Sequence, residues 1–92
     1  MALLSDAEIE DRLRALKGWE RHGREIRRGF RFDSFPAAID FVNRVAALAE
    51  SMDHHPDIDI RYDRVELALS THSAGGLTRR DTELAGRIDA LV

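Results

Sequence analysis

The chain contains 92 residues, of which 43% are hydrophobic and 34% are charged, and its formal net charge at pH 7 is −3. This length and balance predict one small globular domain spanning residues 1–92 and exclude an intrinsically disordered chain. The chain has no cysteine, which excludes disulfide bonds, a thiol nucleophile and cysteine-based zinc sites. The N-terminal segment turns acidic too early for a signal peptide, and no apolar run approaches the roughly 20 residues of a membrane span. We therefore expect a cytoplasmic protein without a membrane partner.

Hydrophobic periodicity and turn residues divide the chain into seven elements in the order α-β-β-α-β-β-α. Apolar residues three or four apart mark the helices, and alternation of apolar with polar residues marks the strands. The predicted elements are a helix ending near residues 17–18, strands over residues 19–21 and 25–32, a helix beginning after Ser34, strands over residues 58–62 and 65–71, and a helix beginning after Thr78.

Capping residues and prolines predict where the helices begin and end. Ser5, followed three residues later by Glu8, forms a capping-box pattern ahead of the first helix. Ser34 is placed to cap the second helix, with Pro36 in its first turn, where a missing N–H costs nothing. Pro56 should stop that helix, because the residue before a proline is pushed towards extended geometry.

Two other segments have features of binding sites but fit simpler structures. The segment SAGGLT, residues 73–78, lacks the lysine and spacing of a phosphate-binding loop and is typical of a tight turn from a strand into a helix. Several arginines cluster around the first predicted hairpin, where solvated positions are common, and the net charge is negative, so nucleic-acid binding is not expected. These arginines are Arg21, Arg24, Arg27, Arg28 and Arg31.

The last two strands predict a tight hairpin that turns at Asp63-Arg64. In this register Ile60 faces Leu67 on one side of the sheet. On the other side Arg61 meets Glu66, a pair of opposite charges. Both faces therefore agree with the register, and a slip of one residue would disrupt both.

The same register, extended beyond the strands, brings three of the four histidines together. His55 falls opposite His72, and His54 falls opposite Ser73. Side chains that are paired directly across two strands have Cβ atoms about 4.5–5.5 Å apart. Histidine exchanges protons readily near neutral pH, so such a group predicts acid/base chemistry.

Two other interpretations of the histidines are weaker. Three histidines and a water would suit a catalytic zinc ion, but adjacent histidines rarely direct both rings at one ion, and no suitably spaced carboxylate supports them. We therefore expect no metal. The adjacent pair His54-His55 is also compatible with a simple helix end before Pro56, although the alignment with His72 favours a site.

From His54 to Ala85 the chain reads HHPDIDIRYDRVELALSTHSAGGLTRRDTELA, and this ordered set resembles the pterin-4a-carbinolamine dehydratases. The specific features are His-His-Pro, a tyrosine six residues later, and Thr-His followed by Gly-Leu-Thr-x-Arg-Asp. The similarity also includes Glu50, the Gly18-Trp19 pair and the segment GFRFDSF, and it extends from about residue 13 to residue 91.

The resemblance implies a small α+β fold with a four-stranded antiparallel sheet and three helices packed on one face. It also implies removal of water from a 4a-hydroxytetrahydropterin to give a quinonoid dihydropterin, with no cofactor. This step recycles the pterin used by aromatic amino-acid hydroxylases, which suggests a functional link to such an enzyme. Family members associate through strands into dimers, and some pair these dimers through helices, so a homodimer or homotetramer is expected.

The resemblance also implies roles for individual residues. His54 and His72 correspond to the catalytic acid/base pair, and His55 corresponds chiefly to a pterin-binding residue at the same catalytic centre. Asp81 matches the family's functional aspartate, although it also completes a capping-box pattern with Thr78. The remaining residues expected to line the pocket, largely through their backbones, are Pro56, Thr71, Ser73 and Ala74.

The chain departs from the family pattern at two positions. Ile58 stands where many members carry tryptophan, and Ser51 stands where many carry lysine. Neither change removes a proton-transfer group.

An alternative function remains, because the same fold also serves as a non-enzymatic dimerisation or assembly module and as a partner of transcription factors. The presence of all three histidines favours the enzyme, and a variant that lacks them but keeps its biological role would favour the alternative.

Overall fold

The computed structural model describes residues 2–92, which form three helices and one sheet in the predicted α-β-β-α-β-β-α order. The sheet is antiparallel throughout, and its strand order is β1-β2-β4-β3. The α+β fold is therefore confirmed. The elements are α1 (Asp6–Ala15), β1 (Glu20–His22), β2 (Glu25–Arg31), α2 (Phe35–Met52), β3 (Asp57–Arg61), β4 (Arg64–Leu69), a single turn of 3₁₀-helix (His72–Ala74) and α3 (Arg79–Asp89).

One hydrophobic core lies between the helices and one face of the sheet. Every second residue of β2 and β4 points into it, as the two-residue period of a strand requires. The helices contribute residues three or four apart, and the rings of Phe30 and Phe41 pack with their centroids 4.7 Å apart. The buried core includes Ile26, Phe30, Val65, Leu67 and Leu69 from the sheet, and Ile9, Phe41, Val45, Leu84 and Ile88 from the helices.

The predicted helix caps are all present. Ser5 and Glu8 form the capping box of α1, and the Ser34 side chain accepts a hydrogen bond from the backbone N–H of Ala37. The helix α1 ends at Ala15, two to three residues before the predicted end, and Gly18, with φ of 94°, turns the chain towards β1. Local hydrogen bonding therefore sets the helix starts as the sequence indicates.

The predicted register of the second hairpin is wrong. Its turn occupies Tyr62-Asp63 instead of Asp63-Arg64, so each residue of β3 faces a β4 residue two positions earlier than expected. Ile58 pairs with Leu67, and Arg61 pairs with Arg64. A shift of two positions keeps every side chain on its predicted face, so alternation alone cannot distinguish the two registers.

Glu8 gives a pH-dependent contribution to the stability of α1. The Ser5 backbone N–H donates to its carboxylate at 2.9 Å and, together with the Ser5 hydroxyl, lowers the Glu8 pKa. Because the pKa is lower in the folded state, this stabilisation is complete above the pKa of the unfolded chain and is lost as pH falls through the folded-state value. We expect the difference in unfolding free energy between wild type and Glu8→Gln to shrink over that range, measured by denaturant titration at several pH values. A difference that does not change with pH would contradict this prediction.

Candidate functional site

The site is built where the end of α2 meets the beginning of α3. The chain leaves α2 through Asp53, which adopts a left-handed conformation with φ of 48°, and His54 follows. This turn directs the His54 side chain inwards, where the residue is only 7% exposed. The Nε2 atom of His54 lies 2.6 Å from Oδ1 of Asp81, in the first turn of α3. The two residues are 27 positions apart, so the contact depends on tertiary packing.

Asp81 is completely buried and both of its carboxylate oxygens have partners. Oδ1 contacts His54, and Oδ2 accepts hydrogen bonds from the Thr71 hydroxyl at 2.8 Å and from the Thr78 backbone N–H at 2.9 Å. Within residues 2–92, no arginine or lysine forms an ion pair with this carboxylate. The capping-box interpretation of Asp81 is therefore confirmed, and the same side chain also contacts a histidine, while its catalytic role stays a prediction.

The second ring nitrogen of His54, Nδ1, differs from Nε2 in having no partner among the described residues. Across residues 2–92, Nδ1 makes no hydrogen bond, and no buried side-chain nitrogen or oxygen lacks a partner. It follows that Nδ1 is not completely buried, although His54 as a whole is only 7% exposed. His54 thus contacts a buried carboxylate through one ring nitrogen and has no protein partner on the other within residues 2–92.

His55 and His72 lie in a different environment from His54. They line a small hollow on the face of the sheet that points away from the helices, together with Asp57 and Ser70. The side chain of His55 is 57% exposed, and its Nε2 lies 2.8 Å from Oε1 of Glu50. His54 is not among the residues that line this hollow.

The predicted cross-strand pairing of His55 with His72 is wrong, as is that of His54 with Ser73. The strand β4 ends at Leu69, and Thr71 instead forms an isolated bridge with Gly76. This bridge closes a short loop in which His72 begins the 3₁₀ turn, so the ladder does not extend to the histidines. Local folding of the loop, and not the register of the hairpin, brings His72 beside His55.

The other predicted pocket residues have varied positions. Pro56 and Ala74 are half-buried and Ser73 is exposed, the last two within the 3₁₀ turn that begins at His72. Thr71 is buried, and its side chain is directed to Asp81 instead of the surface. Sequence reasoning noted Arg80 only as part of a motif, yet its guanidinium donates to the carbonyl oxygens of Met52 and Asp53 and so holds the end of α2.

The described residues 2–92 contain no group of three or more histidine, aspartate or glutamate side chains arranged to hold a metal ion. None of the helices in this part of the chain is both long enough and apolar enough to cross a bilayer.

A sequence profile of the pterin 4 alpha carbinolamine dehydratase family matches residues 2–91. The chain belongs to this family. A relative from Roseiflexus castenholzii that carries the dehydratase name is 60% identical over 91 residues, covering 99% of this chain and 98% of the relative. Another from Chloroflexus aurantiacus is 55% identical over 92 residues, covering 100% of this chain and 99% of the relative. The resemblance seen in the histidine segment is confirmed.

Solved structures show the same architecture in other members of the dehydratase fold. The crystal structure of a transcriptional coactivator/pterin dehydratase from Brucella melitensis superposes with a TM-score of 0.94 at 37% identity, and the match covers 98% of each chain. A pterin dehydratase-like protein identified as a RuBisCO assembly factor in the alpha-carboxysome gives a TM-score of 0.69 at 27% identity, covering 80% of this chain and 88% of that one. The fold thus occurs in proteins named for catalysis and in one named for assembly.

Proposed function

We propose that the protein converts a 4a-hydroxytetrahydropterin, the 4a-carbinolamine, into a quinonoid dihydropterin and water by histidine acid/base catalysis. The dehydratase family supplies the reaction class. The contact between Nε2 of His54 and the buried Asp81 carboxylate, at 2.6 Å, is the observation that carries the mechanism. A carboxylate that holds one ring nitrogen fixes the orientation of the imidazole and leaves the other nitrogen for proton transfer.

The reaction needs only two proton transfers. In a carbinolamine the hydroxyl group sits on a carbon bonded to nitrogen, so the nitrogen lone pair can expel it as the carbon–oxygen bond breaks. An acid protonates the leaving oxygen, which departs as water, and a base removes a proton from a ring nitrogen of the substrate. Atoms and charge balance without any change in oxidation state, so acid and base groups on the protein are sufficient.

We assign the acid/base roles to His54 and His72 and the binding role chiefly to His55. His54 and His55 are consecutive, so their Cα atoms are about 3.8 Å apart. His72 lines the same small hollow as His55, so these two histidines lie close to each other on the outer face of the sheet. His55 is assigned to binding because its imidazole and its partner Glu50 are both exposed, whereas His54 and Asp81 form a buried pair that fixes the ring firmly. Pro56, Ser73 and Ala74 remain predicted pocket residues in this arrangement.

The decisive experiment follows the decay of a 4a-carbinolamine by stopped-flow absorbance, with the substrate generated in situ by a phenylalanine hydroxylase. Wild-type protein should accelerate the decay, and a His54→Ala/His72→Ala double variant should not. His22→Ala is the matched control, because this exposed histidine lies on β1, outside the proposed site. If folded wild-type protein gave no acceleration, the assembly role of the same fold would replace the enzymatic proposal.

Association into a homodimer is a second part of the proposal, and the free edge strand β3 supports it. Among the described residues β3 pairs only with β4, and Ile58 and Ile60 on it are 36% and 40% exposed. Antiparallel pairing of two β3 strands about Asp59 would place Ile58 opposite Ile60 and Asp57 opposite Arg61. It would also place the two Asp59 carboxylates opposite each other, which is the one unfavourable pair.

Replacing Ile60 with lysine should convert a dimer into a monomer, because a charge on an edge strand opposes strand pairing. Sedimentation-velocity measurements at equal protein concentrations would show the change. Leu3→Lys is a suitable control, because Leu3 is 53% exposed but lies outside the sheet. A dimer that persists in Ile60→Lys would show that another surface is used.

A role in pterin recycling follows from the proposed reaction. Aromatic amino-acid hydroxylases release 4a-hydroxylated pterin, and its dehydration returns the pterin to a form that can be reduced again. The functional link that we propose is through this shared metabolite, so it requires no contact between the two proteins.

A further inference from the structure

The hydrogen bonds around Asp81 have a direction that can be deduced from the number of protons available. The Thr71 hydroxyl has one hydrogen, which it donates to Oδ2 of Asp81 at 2.8 Å. The oxygen atoms of Thr71 and Thr78 are also 2.8 Å apart. Because the Thr71 hydrogen is already used, Thr78 must be the donor in that contact. The Thr78 oxygen in turn accepts from the backbone N–H of Arg80 at 3.3 Å.

Every bond in this buried chain therefore donates towards Asp81. Its Oδ2 atom accepts hydrogen bonds from the Thr71 hydroxyl and from the Thr78 backbone N–H. An ionised carboxylate is an acceptor only, and hydrogen bonds to an ionised acceptor are stronger than those to a neutral one. Because Oδ1 of an ionised Asp81 can only accept, the hydrogen in its 2.6 Å contact with His54 must be on Nε2.

We propose that the hydroxyls of Thr71 and Thr78 are positioning groups that set the protonation pattern of His54. They hold Asp81 as an ionised acceptor, Asp81 fixes His54 with its hydrogen on Nε2, and Nδ1 is left as the nitrogen that exchanges a proton with the substrate. The assignment of Nδ1 to catalysis rests on the proposed dehydratase function. The position of the hydrogen on the His54 ring does not depend on that function, and it can be measured without any substrate.

Long-range ¹H–¹⁵N correlation spectra of ¹⁵N-labelled protein distinguish the two neutral forms of each histidine. The signals of His54 are identified by their absence in His54→Gln. We expect wild-type His54 to carry its hydrogen on Nε2 when neutral. In Thr71→Val, which keeps the shape of the side chain but removes the hydroxyl, the Nδ1–H form should appear, with the shared hydrogen on Asp81 and donated to Nε2, whereas Thr71→Ser should retain the wild-type pattern. Observation of the Nδ1–H form in wild-type protein would overturn the proposal even if Thr71→Val did not fold.

Activity gives a second readout that a purely structural role would not change. Loss of one orienting hydrogen bond should lower kcat of Thr71→Val about tenfold with little change in KM, and Thr71→Ser should restore it. Thr82→Val is the matched control, because the Thr82 hydroxyl donates to the Arg79 carbonyl at 3.1 Å within α3 and not to Asp81. Thr82→Val should leave both the ring state and kcat unchanged. Wild-type ring state and kcat in Thr71→Val would refute the positioning role, whereas the expected ring states without dehydratase activity would refute only the proposed function.

Discussion

Replacing His54 with alanine should lower kcat/KM for a 4a-carbinolamine by about 10²–10⁴-fold, the usual effect of losing a general acid or base. The loss should be in kcat, because the proposed role of His54 is to move a proton and not to bind the pterin. Steady-state and stopped-flow measurements on the purified variant separate the two parameters. His72→Ala should show a loss in the same range.

Two comparisons make this prediction specific to His54 and His72. His55→Ala should mainly raise KM, because His55 is exposed, pairs with Glu50 and is assigned to binding. His22→Ala should resemble wild type, because it removes an imidazole from β1 without touching the site. Rates equal to wild type in both His54→Ala and His72→Ala would be incompatible with the acid/base assignment.

Replacing Asp81 with alanine should reduce the free energy of unfolding by about 3 kcal/mol or more, because each buried donor left without its acceptor costs about 1–3 kcal/mol. Three donors would lose their acceptor together, namely Nε2 of His54, the Thr71 hydroxyl and the Thr78 backbone N–H. Denaturant titration monitored by circular dichroism measures the change. Glu8→Ala is a close control, because Glu8 occupies the equivalent capping-box position of α1 but is exposed, so its loss should cost much less. Equal losses in the two variants would mean that capping alone explains Asp81.

The variant Asp81→Asn separates folding from catalysis at the same position. The amide is close in size to the carboxylate and still offers one acceptor oxygen to Thr71 and Thr78. Its NH₂ group would then face Nε2 of His54 and donate to it, which places the histidine hydrogen on Nδ1. A comparable change at the aspartate of serine-protease triads leaves the geometry intact but greatly lowers activity. We therefore expect Asp81→Asn to be more stable than Asp81→Ala and yet to have a strongly reduced kcat.

Features that depend on neighbouring residues were predictable from the sequence. The Ser5 and Thr78 capping boxes and the Ser34 cap involve residues three positions apart, and all are present. Alternation of apolar and polar residues likewise predicted β4 as a strand, and its apolar residues Val65, Leu67 and Leu69 are buried. These signals are local, so one sequence contains them in full.

Features that depend on turns and tertiary packing were not predictable in the same way. The register of the second hairpin was missed because the choice between turns at Tyr62-Asp63 and Asp63-Arg64 leaves every residue on the same face. The pattern around Thr78 indicated that Asp81 would cap a helix, but nothing in the spacing indicated that its other oxygen contacts His54. Arg80 was overlooked for a related reason, since its partners are backbone carbonyls on another helix, which carry no sequence signal.

The adjacent residues Arg80 and Asp81 also balance the electrostatics of two helix ends. The C-terminus of α2 carries a partial negative charge, and the Arg80 guanidinium is bonded to the carbonyls there. The N-terminus of α3 carries a partial positive charge, and the Asp81 carboxylate lies in its first turn. One dipeptide thus places a full charge of the opposite sign against each macrodipole. This arrangement allows two helix ends to meet around a buried histidine without either partial charge being left uncompensated.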